Sequence, residues 1–353
     1  MTPGGFQMDE IDLRTADDDL LAELNDFNNR VVAEIRPDDP PTPVEQAIAA
    51  VRNLPDFVDV AVFAARDASG GLVAIGQGVV GRTGENEHLI QVNIEVTPDA
   101  RRQGIGTALL ARLAEVAEKE GRRLVLGSTN GRVPAGDAFA QRVGAEAGLA
   151  DHVNRLVIAD LDRTLIRRWA EEGPKRAPAY ELVTFDGRWP DDQVQALVDV
   201  MTVINSAPHD DLEVEDQHFT VEQWRQQEAS LEAAGNVHWT IVASELSTGV
   251  FAGMTDVVWN PARPKTVQQN LTVVHPDHRG HGLGKWLKAV MLERVLIERP
   301  EVEDVRTSNA DSNEAMLAIN HELGFGPWIS RTVWQVPLDR VRDYVQSRGD
   351  VGR

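Results

Sequence analysis

The sequence has no cysteine among its 353 residues. That excludes disulfides, thiolate nucleophiles and thiolate metal sites, and it is compatible with a reducing compartment. Only two tyrosines are present, Tyr180 and Tyr344, so chemistry that needs a phenol has two places to find one. No apolar run is long enough to cross a membrane. The start, MTPGGFQMDEIDLR, lacks the basic and apolar regions of a secretory signal, and the expectation is a cytoplasmic protein. Positive charge is scarce too: 35 Lys and Arg stand against 56 Asp and Glu, a formal charge of −21. Such a balance argues against nucleic-acid and anionic-membrane partners, which are bound by basic surfaces. It suits a cationic small molecule such as an amine, and it equally serves solubility alone. The eight tryptophans all lie at or after Trp169, so the first part of the chain has none.

What is present is a repeat. A chain of this length predicts two domains, and one pattern occurs twice. Residues 96–109 read VTPDARRQGIGTAL and residues 274–287 read VHPDHRGHGLGKWL. A shift of 178 positions places Val96, Pro98, Asp99, Arg101, Gly104, Gly106 and Leu109 on Val274, Pro276, Asp277, Arg279, Gly282, Gly284 and Leu287. Each copy leads from an apolar strand through a glycine-rich turn into an amphipathic helix, which is how a backbone cradle for phosphate oxygens is built at a helix N-terminus. The surrounding periodicity predicts the same element order twice. Strands are expected at 58–66, 71–81, 88–96 and 122–129 before a helix at 137–143. In the second copy they are expected at 238–245, 250–259, 267–274 and 302–308 before a helix at 312–323. Residues 159–178 read as a connector. The expected domains are 1–165 and 177–353.

Three glycine-rich chemistries compete for the turn. A dinucleotide fingerprint needs a third glycine or alanine where Leu109 and Leu287 stand. A P-loop needs Gly-Lys-Ser/Thr, and Gly284-Lys285-Trp286 fails at the last residue. Arg-x-x-Gly-x-Gly after a buried strand resembles the acetyl-coenzyme A signature of the GNAT N-acetyltransferases. The doubling resembles the tandem two-domain acetyltransferases of actinobacteria. The second copy adds NADSNEAMLAINHELGF (309–325), similar to the family's closing helix with its asparagine and Leu-Gly-Phe end.

The resemblance implies an α/β (α+β) fold of two tandem domains, each a mixed, mostly antiparallel sheet flanked by helices. It implies acetyl-coenzyme A as cosubstrate, no metal, and a small-molecule amine as acceptor; it leaves the oligomeric state open. The pyrophosphate would meet the turns at Arg101, Arg102, Gln103, Gly104, Ile105, Gly106 and Thr107, and at Arg279, Gly280, His281, Gly282, Leu283, Gly284 and Lys285. The pantetheine arm would run along Ile94, Glu95 and Val96, and along Thr272, Val273 and Val274. Asn309 and Asn313 would complete the second site. The family's glutamate base, eight residues before the motif proline, is replaced by Ile90 and Gln268. Its tyrosine acid is replaced by Ala140 and Asn320. Strict alternation puts Gln268, Asn270, Thr272 and Val274 on one face, against His88, Ile90, Val92, Ile94 and Val96 in the first copy. A polar central strand is costly to bury without a partner. Gln268, Asn270 and Asn320 are therefore the candidate catalytic residues, and the second domain is the expected catalyst. Glu95, His88 and Asp256 are secondary candidates, Asp256 as a partner for a cationic amine. The missing acid–base pair also allows a non-catalytic acyl-coenzyme A sensor, or an acyltransferase acting on a protein N-terminus.

Overall fold

The computed structural model describes residues 5–349. In chain order the elements are β1 (Gln7–Ile11), α1 (Asp18–Ile35), α2 (Val44–Arg52), β2 (Val58–Arg66), β3 (Leu72–Gly81), β4 (Leu89–Val96), α3 (Ile105–Lys119), β5 (Leu124–Asn130), α4 (Pro134–Val143), β6 (Glu146–Val157) and α5 (Arg163–Arg176). They continue with β7 (Tyr180–Asp186), α6 (Val194–Met201), α7 (Val221–Ala233), β8 (Val237–Glu245), β9 (Phe251–Trp259), β10 (Thr266–Val274), α8 (Leu283–Glu298), β11 (Asp304–Ala310), α9 (Glu314–Leu323), β12 (Gly326–Pro337) and α10 (Leu338–Gly349). The fold is α/β, and the strand–turn–helix order expected at both cradles is present. Two helices are additions to the sequence reading. The connector holds α5, which tolerates Pro174 in its last turn. The chain's end holds α10.

The chain forms two compact units. Unit 1 is residues 1–150, 209–215 and 330–353; unit 2 is 151–208 and 216–329. These units do not end where the repeats end. In unit 1, β1, β2, β3 and β4 pair antiparallel, β4 pairs parallel with β5, and β5 is completed by Arg331–Pro337 of β12. In unit 2, β7, β8, β9 and β10 follow the same pattern, β10 pairs parallel with β11, and β11 is completed by Asp151–Val157 of β6. Each repeat thus supplies the closing strand of the other unit. The expected domains 1–165 and 177–353 follow from the repeat alone, and the exchanged strands are invisible to periodicity because both are equally good closing strands.

Each sheet is covered on both faces. On β2, Val62 and Ala64 pack against Leu21 and Phe27 of α1, while Phe63 and Ala65 face Leu109 and Leu113 of α3. On β8, Ile241 and Ala243 join the α8 core with Leu287 and Leu292. Val242 turns instead to Trp189 and the α6–α7 residues Leu197 and Trp224. Helix α5 joins the α8 side through Leu165, Ile166 and Trp169, and Gly173 has no room for a Cβ because the Trp286 ring lies on it. Trp224, Trp239 and Trp286 are buried core, as tryptophans of this spacing usually are. Thr220 and Gln223 form a reciprocal capping box that starts α7.

Candidate active site

Both units contain a forked sheet. In unit 1 the parallel pairing of β4 and β5 runs from Leu89–Leu124 only as far as Val92–Gly127. In unit 2 that of β10 and β11 stops at Gln268–Arg306. Beyond those points the main chains of Ile94–Val96 and Thr272–Val274 stay paired on one side, to β3 and β9, and among the described residues have no strand partner on the fork side. An extended ligand could occupy that missing place by hydrogen-bonding to the strand.

At each fork the strand leads into its cradle. Gly104 and Gly282 precede their helices in the left-handed region, at φ 85° and 79°. Gly280 (φ 85°) also lies there, and Arg102 takes the equivalent position in unit 1 at φ 65°. A non-glycine residue in that conformation costs about 1 kcal/mol or more. The turn is retained in unit 1 despite that cost. The first-turn N–H groups of α3 and α8 have no intrahelical acceptor and so point at any anion seated there. The motif arginines point elsewhere. Arg101 Nε donates to Val96 O at 3.0 Å and its guanidinium pairs with Glu34; Arg279 Nε donates to Val274 O at 3.1 Å and Nη2 to Ser206 at 2.9 Å. Both brace the strand end, leaving anion contact to the main chain. Gln103 is tied to Asp99 O, and Lys285 to Glu322 with its ammonium over Trp169. His281 lies beside Tyr180, whose hydroxyl meets His278 Nδ1 at 2.9 Å. In unit 1 the fork and cradle open into a cavity of about 760 Å³, lined by Val92–Val96, Arg101–Gly104, Gly106 and Thr107.

The two fork strands differ by a bulge. Strand β4 runs unbroken along β3, whereas β10 shifts register against β9 between Gln269 and Thr272. A bulge adds one residue and reverses the alternation beyond it. The expectation that Gln268, Asn270, Thr272 and Val274 share a face is therefore corrected. Gln268 and Asn270 are exposed on the α6–α7 side, and Leu271 and Val273 pack there too. Thr272 meets Gln269, which faces α8, and Val274 packs on the α8 core. The same bulge corrects the base position of the first copy: Gln91, not Ile90, is the structural counterpart of Gln268, since both end up opposite equivalent residues of β5 and β11.

On the α6–α7 side of the bulge sits a buried carboxylate. Asp256 Oδ1 accepts the main-chain N–H of Leu271 at 2.8 Å. Its Oδ2 accepts Asn270 Nδ2 and meets His238 Nε2, both at 3.0 Å. Asp256 and His238 are 6% and 5% exposed. Trp189 and Trp224 stack at 4.1 Å and wall off His238. His238 Nδ1 and Trp224 Nε1 are buried without a hydrogen-bond partner among the described residues. Asp256 was legible as a polar residue in a strand; His238 was not, because nothing in HWTIVASE (238–245) separates a buried, carboxylate-paired histidine from a strand-end one.

On the α8 side Gln269, 1% exposed, donates to Thr255 at 2.8 Å and accepts from Lys288 Nζ at 3.0 Å. Burial pushes the Lys288 ammonium down to about 7. At the closing helix, Asn313 caps α9 by accepting Met316 N–H. Asn320 is fully buried and donates to Asn309 Oδ1 at 2.7 Å, while its own Oδ1 has no partner among the described residues. In unit 1 Glu95 lines the cavity with Asn93 Nδ2, at 3.1 Å, as its only hydrogen-bond partner among the described residues, and burial raises its carboxyl above the ordinary range. His88 is committed to Glu213 O at 2.9 Å.

Residues 59–144, wholly within the first repeat, match the family model of the acetyltransferase (GNAT) domain. No curated protein sequence matches the chain. Among solved structures, a tandem GNAT protein from the clavulanic acid biosynthesis pathway is 26% identical, with a TM-score of 0.77 over 94% of this chain and 98% of that one. A GCN5-related N-acetyltransferase from Sphaerobacter thermophilus, 13% identical, shares the fold at a TM-score of 0.64 over 94% and 96% of the two chains. Saccharomyces cerevisiae N-myristoyltransferase, 12% identical, does so at 0.58 over 94% and 82%.

Proposed function

We propose, from the premise that the chain is a tandem acyltransferase of the GNAT family, that it moves acetyl from acetyl-coenzyme A to the primary amine of a small molecule. The second repeat, within residues 177–353, is the catalyst in this reading, and the first, within 1–165, holds coenzyme. The residues present fit the coenzyme. Cradle positions in the left-handed region leave the backbone open to a diphosphate, the forks offer unpaired main chain to an amide-bearing arm, and Asn320 Oδ1 is a buried acceptor without a donor. When bound, the coenzyme supplies the acetyl group activated as a thioester.

One observation carries the assignment to the second repeat: the bulge of β10 places Asp256 against the main chain at the fork. An amine arriving as ammonium must lose a proton before it attacks. Asp256 is the acceptor for that proton, and His238, Asn270 and the Leu271 N–H fix the direction of its carboxylate. Gln268 and Asn270, exposed at the fork mouth, bind the incoming amine. Asn320 orients the sulfur end of the arm from α9; an amide supplies no proton, so the departing thiolate takes its proton from solvent. The acidic surface favours a cationic acceptor. A second reading rests on Glu95. A half-buried carboxylate with a raised pKa in a cavity shared with a cradle is also a candidate base, and it would put chemistry in unit 1.

The test is thiol release from acetyl-coenzyme A with a panel of small amines. Turnover with at least one amine is expected, lost in Asp256→Asn and retained in Glu95→Gln. Tight coenzyme binding with no thiol release from any amine would replace the enzyme reading by a sensing one, and release only with peptide N-termini would replace the acceptor class. No helix among the described residues is long and apolar enough to cross a membrane, and a cytoplasmic location belongs to the same proposal.

A further inference from the structure

The cavity of unit 1 has a wall that the cradle motif does not supply. Besides the turn residues it is lined by Trp334 and Val336 of β12 and by Tyr344, Val345 and Arg348 of α10. Trp334 is locked by its Nε1 donating to Thr129 Oγ1 at 2.8 Å. Tyr344 is half-buried, edge-on to Phe139 of α4 with centroids 6.2 Å apart, and its hydroxyl lies 3.5 Å from Thr107 Oγ1. It therefore spans from the closing helix to the first turn of the cradle helix. Arg348, one turn further along α10, is exposed at the cavity mouth with its guanidinium 5.7 Å from the Tyr344 ring centroid. The other two arginines of α10 are spent on carboxylates, Arg340 on Glu146 at 2.8 Å and Arg342 on Glu118 at 3.3 Å. Among the described residues Arg348 has no such partner. In a chain of charge −21 an arginine without a carboxylate, beside a phosphate cradle, is a recognition feature by its chemistry.

We propose that α10 is part of the coenzyme site of unit 1. The Tyr344 hydroxyl donates to the diphosphate held by the cradle, together with Thr107, and Arg348 pairs with the 3′-phosphate at the outer end of the ligand. This rests on the reading that the first cradle binds coenzyme, and it goes further by making the last turns of the chain a binding element for the first repeat. The exchanged strand gives the physical reason. Arg331–Pro337 closes the sheet of unit 1 and ends opposite Leu124, at the paired end of β4 and β5, and α10 runs back from there to bring Tyr344 to Thr107 and Phe139.

Calorimetric titration of the full chain carrying Gly282→Asp, which disables the second cradle, isolates this site. Coenzyme A and 3′-dephospho-coenzyme A are the probes. Arg348→Ala is expected to weaken coenzyme A by about tenfold and leave the dephospho form unchanged, with Arg348→Lys restoring part of the loss. Tyr344→Phe keeps the ring packing and is expected to weaken both probes by a similar factor of a few. Equal affinities for coenzyme A in the parent and in both variants would overturn the proposal while leaving the first cradle as a binding site. If the Gly282→Asp parent bound neither probe, while the wild-type chain bound one coenzyme lost in Gly282→Asp and kept in Gly104→Asp, the underlying reading would fall.

Discussion

The two units present the same fork with different floors. In unit 2 the strand residues Gln269 and Thr272, with Thr255 opposite, form one hydrogen-bonded set that ends on Lys288 of α8. In unit 1 the equivalent positions are Val92 and Ile94, with Gly76 opposite and Leu110 on α3, and they pack as apolar core. The polar version goes with a bulge and the apolar version with a straight strand. An apolar floor is the cheaper way to fill that space, since buried polar groups at best recover what their desolvation costs. Unit 2 therefore carries a structural expense that unit 1 avoids. On the other face of the bulged strand lies the Asp256 carboxylate, and on the corresponding face of β4 lies Glu95 with a single amide neighbour. What the difference teaches is that the glycine-rich turn and the strand beside it are separable: both units keep the left-handed turn, and each has a different answer on the two faces of the strand.

The largest effect expected is from the cradles themselves. Aspartate at Gly282 meets a left-handed backbone and sets a negative charge where phosphate belongs. Gly282→Asp should reduce steady-state thiol release by more than about 10³-fold, whereas Gly104→Asp should remove one of two calorimetric binding sites and leave most of the turnover. The opposite pattern would exchange the roles of the two units.

Next comes Asp256→Asn. Loss of a positioned base costs about 10²–10⁴-fold, and the fall should appear in kcat while KM for acetyl-coenzyme A stays within a few fold. His238→Gln, which keeps a donor toward Asp256 but not the imidazole, should cost about tenfold as a positioning change. An unchanged kcat in Asp256→Asn would move attention to Glu95.

Much of this comparison was readable in the sequence, and the part that was not has a specific cause. The glycine-rich turns, their place between strand and helix, and the apolar α3-facing side of β4 follow from glycine spacing and alternation. The bulge does not: Asn270-Leu271 carries no glycine or other local mark, and counting back from Pro98 and Pro276 across it misaligned Ile90 with Gln268. Lys288 was hidden because LGKWLKAVMLERVLIE reads as a helix with a charged edge, and only the packed structure shows that this lysine points inward. The exchanged strands were hidden because period-2 alternation states which face is buried and says nothing of which neighbour a strand pairs with. Asn313 and Asn309 were found by motif, yet their side chains serve α9 and Asn320 in this structure.

The floor itself can be transplanted. Lys288→Leu with Gln269→Val gives unit 2 two of the four floor residues of unit 1, Leu110 and Val92. The folded lysine titrates near 7 and the unfolded one at 10.5, so the folded state binds fewer protons between those values and wild-type stability rises with pH across that window. The double variant should lose this slope and gain stability at pH 7 on the order of a few kcal/mol, as measured by denaturant unfolding at pH 7 and 10. A retained slope would mean that Lys288 is not its source.

The smallest effect, and the sharpest for the second reading, is Glu95→Gln. Burial raises the Glu95 carboxyl above 4.5, so its folded-state benefit is present below the unfolded value and disappears as pH rises through the folded one. The burial that raises it disfavours the ionised form, and glutamine removes that charge. Thermal unfolding should shift up by about 1–3 °C at pH 7.5, with the advantage shrinking as pH falls. Turnover should stay within twofold of wild type if unit 1 only holds coenzyme. A gain in stability accompanied by a large fall in kcat would be the mark of a strained catalytic carboxylate, and would place the chemistry at β4, in the unit whose apolar floor argues for storage.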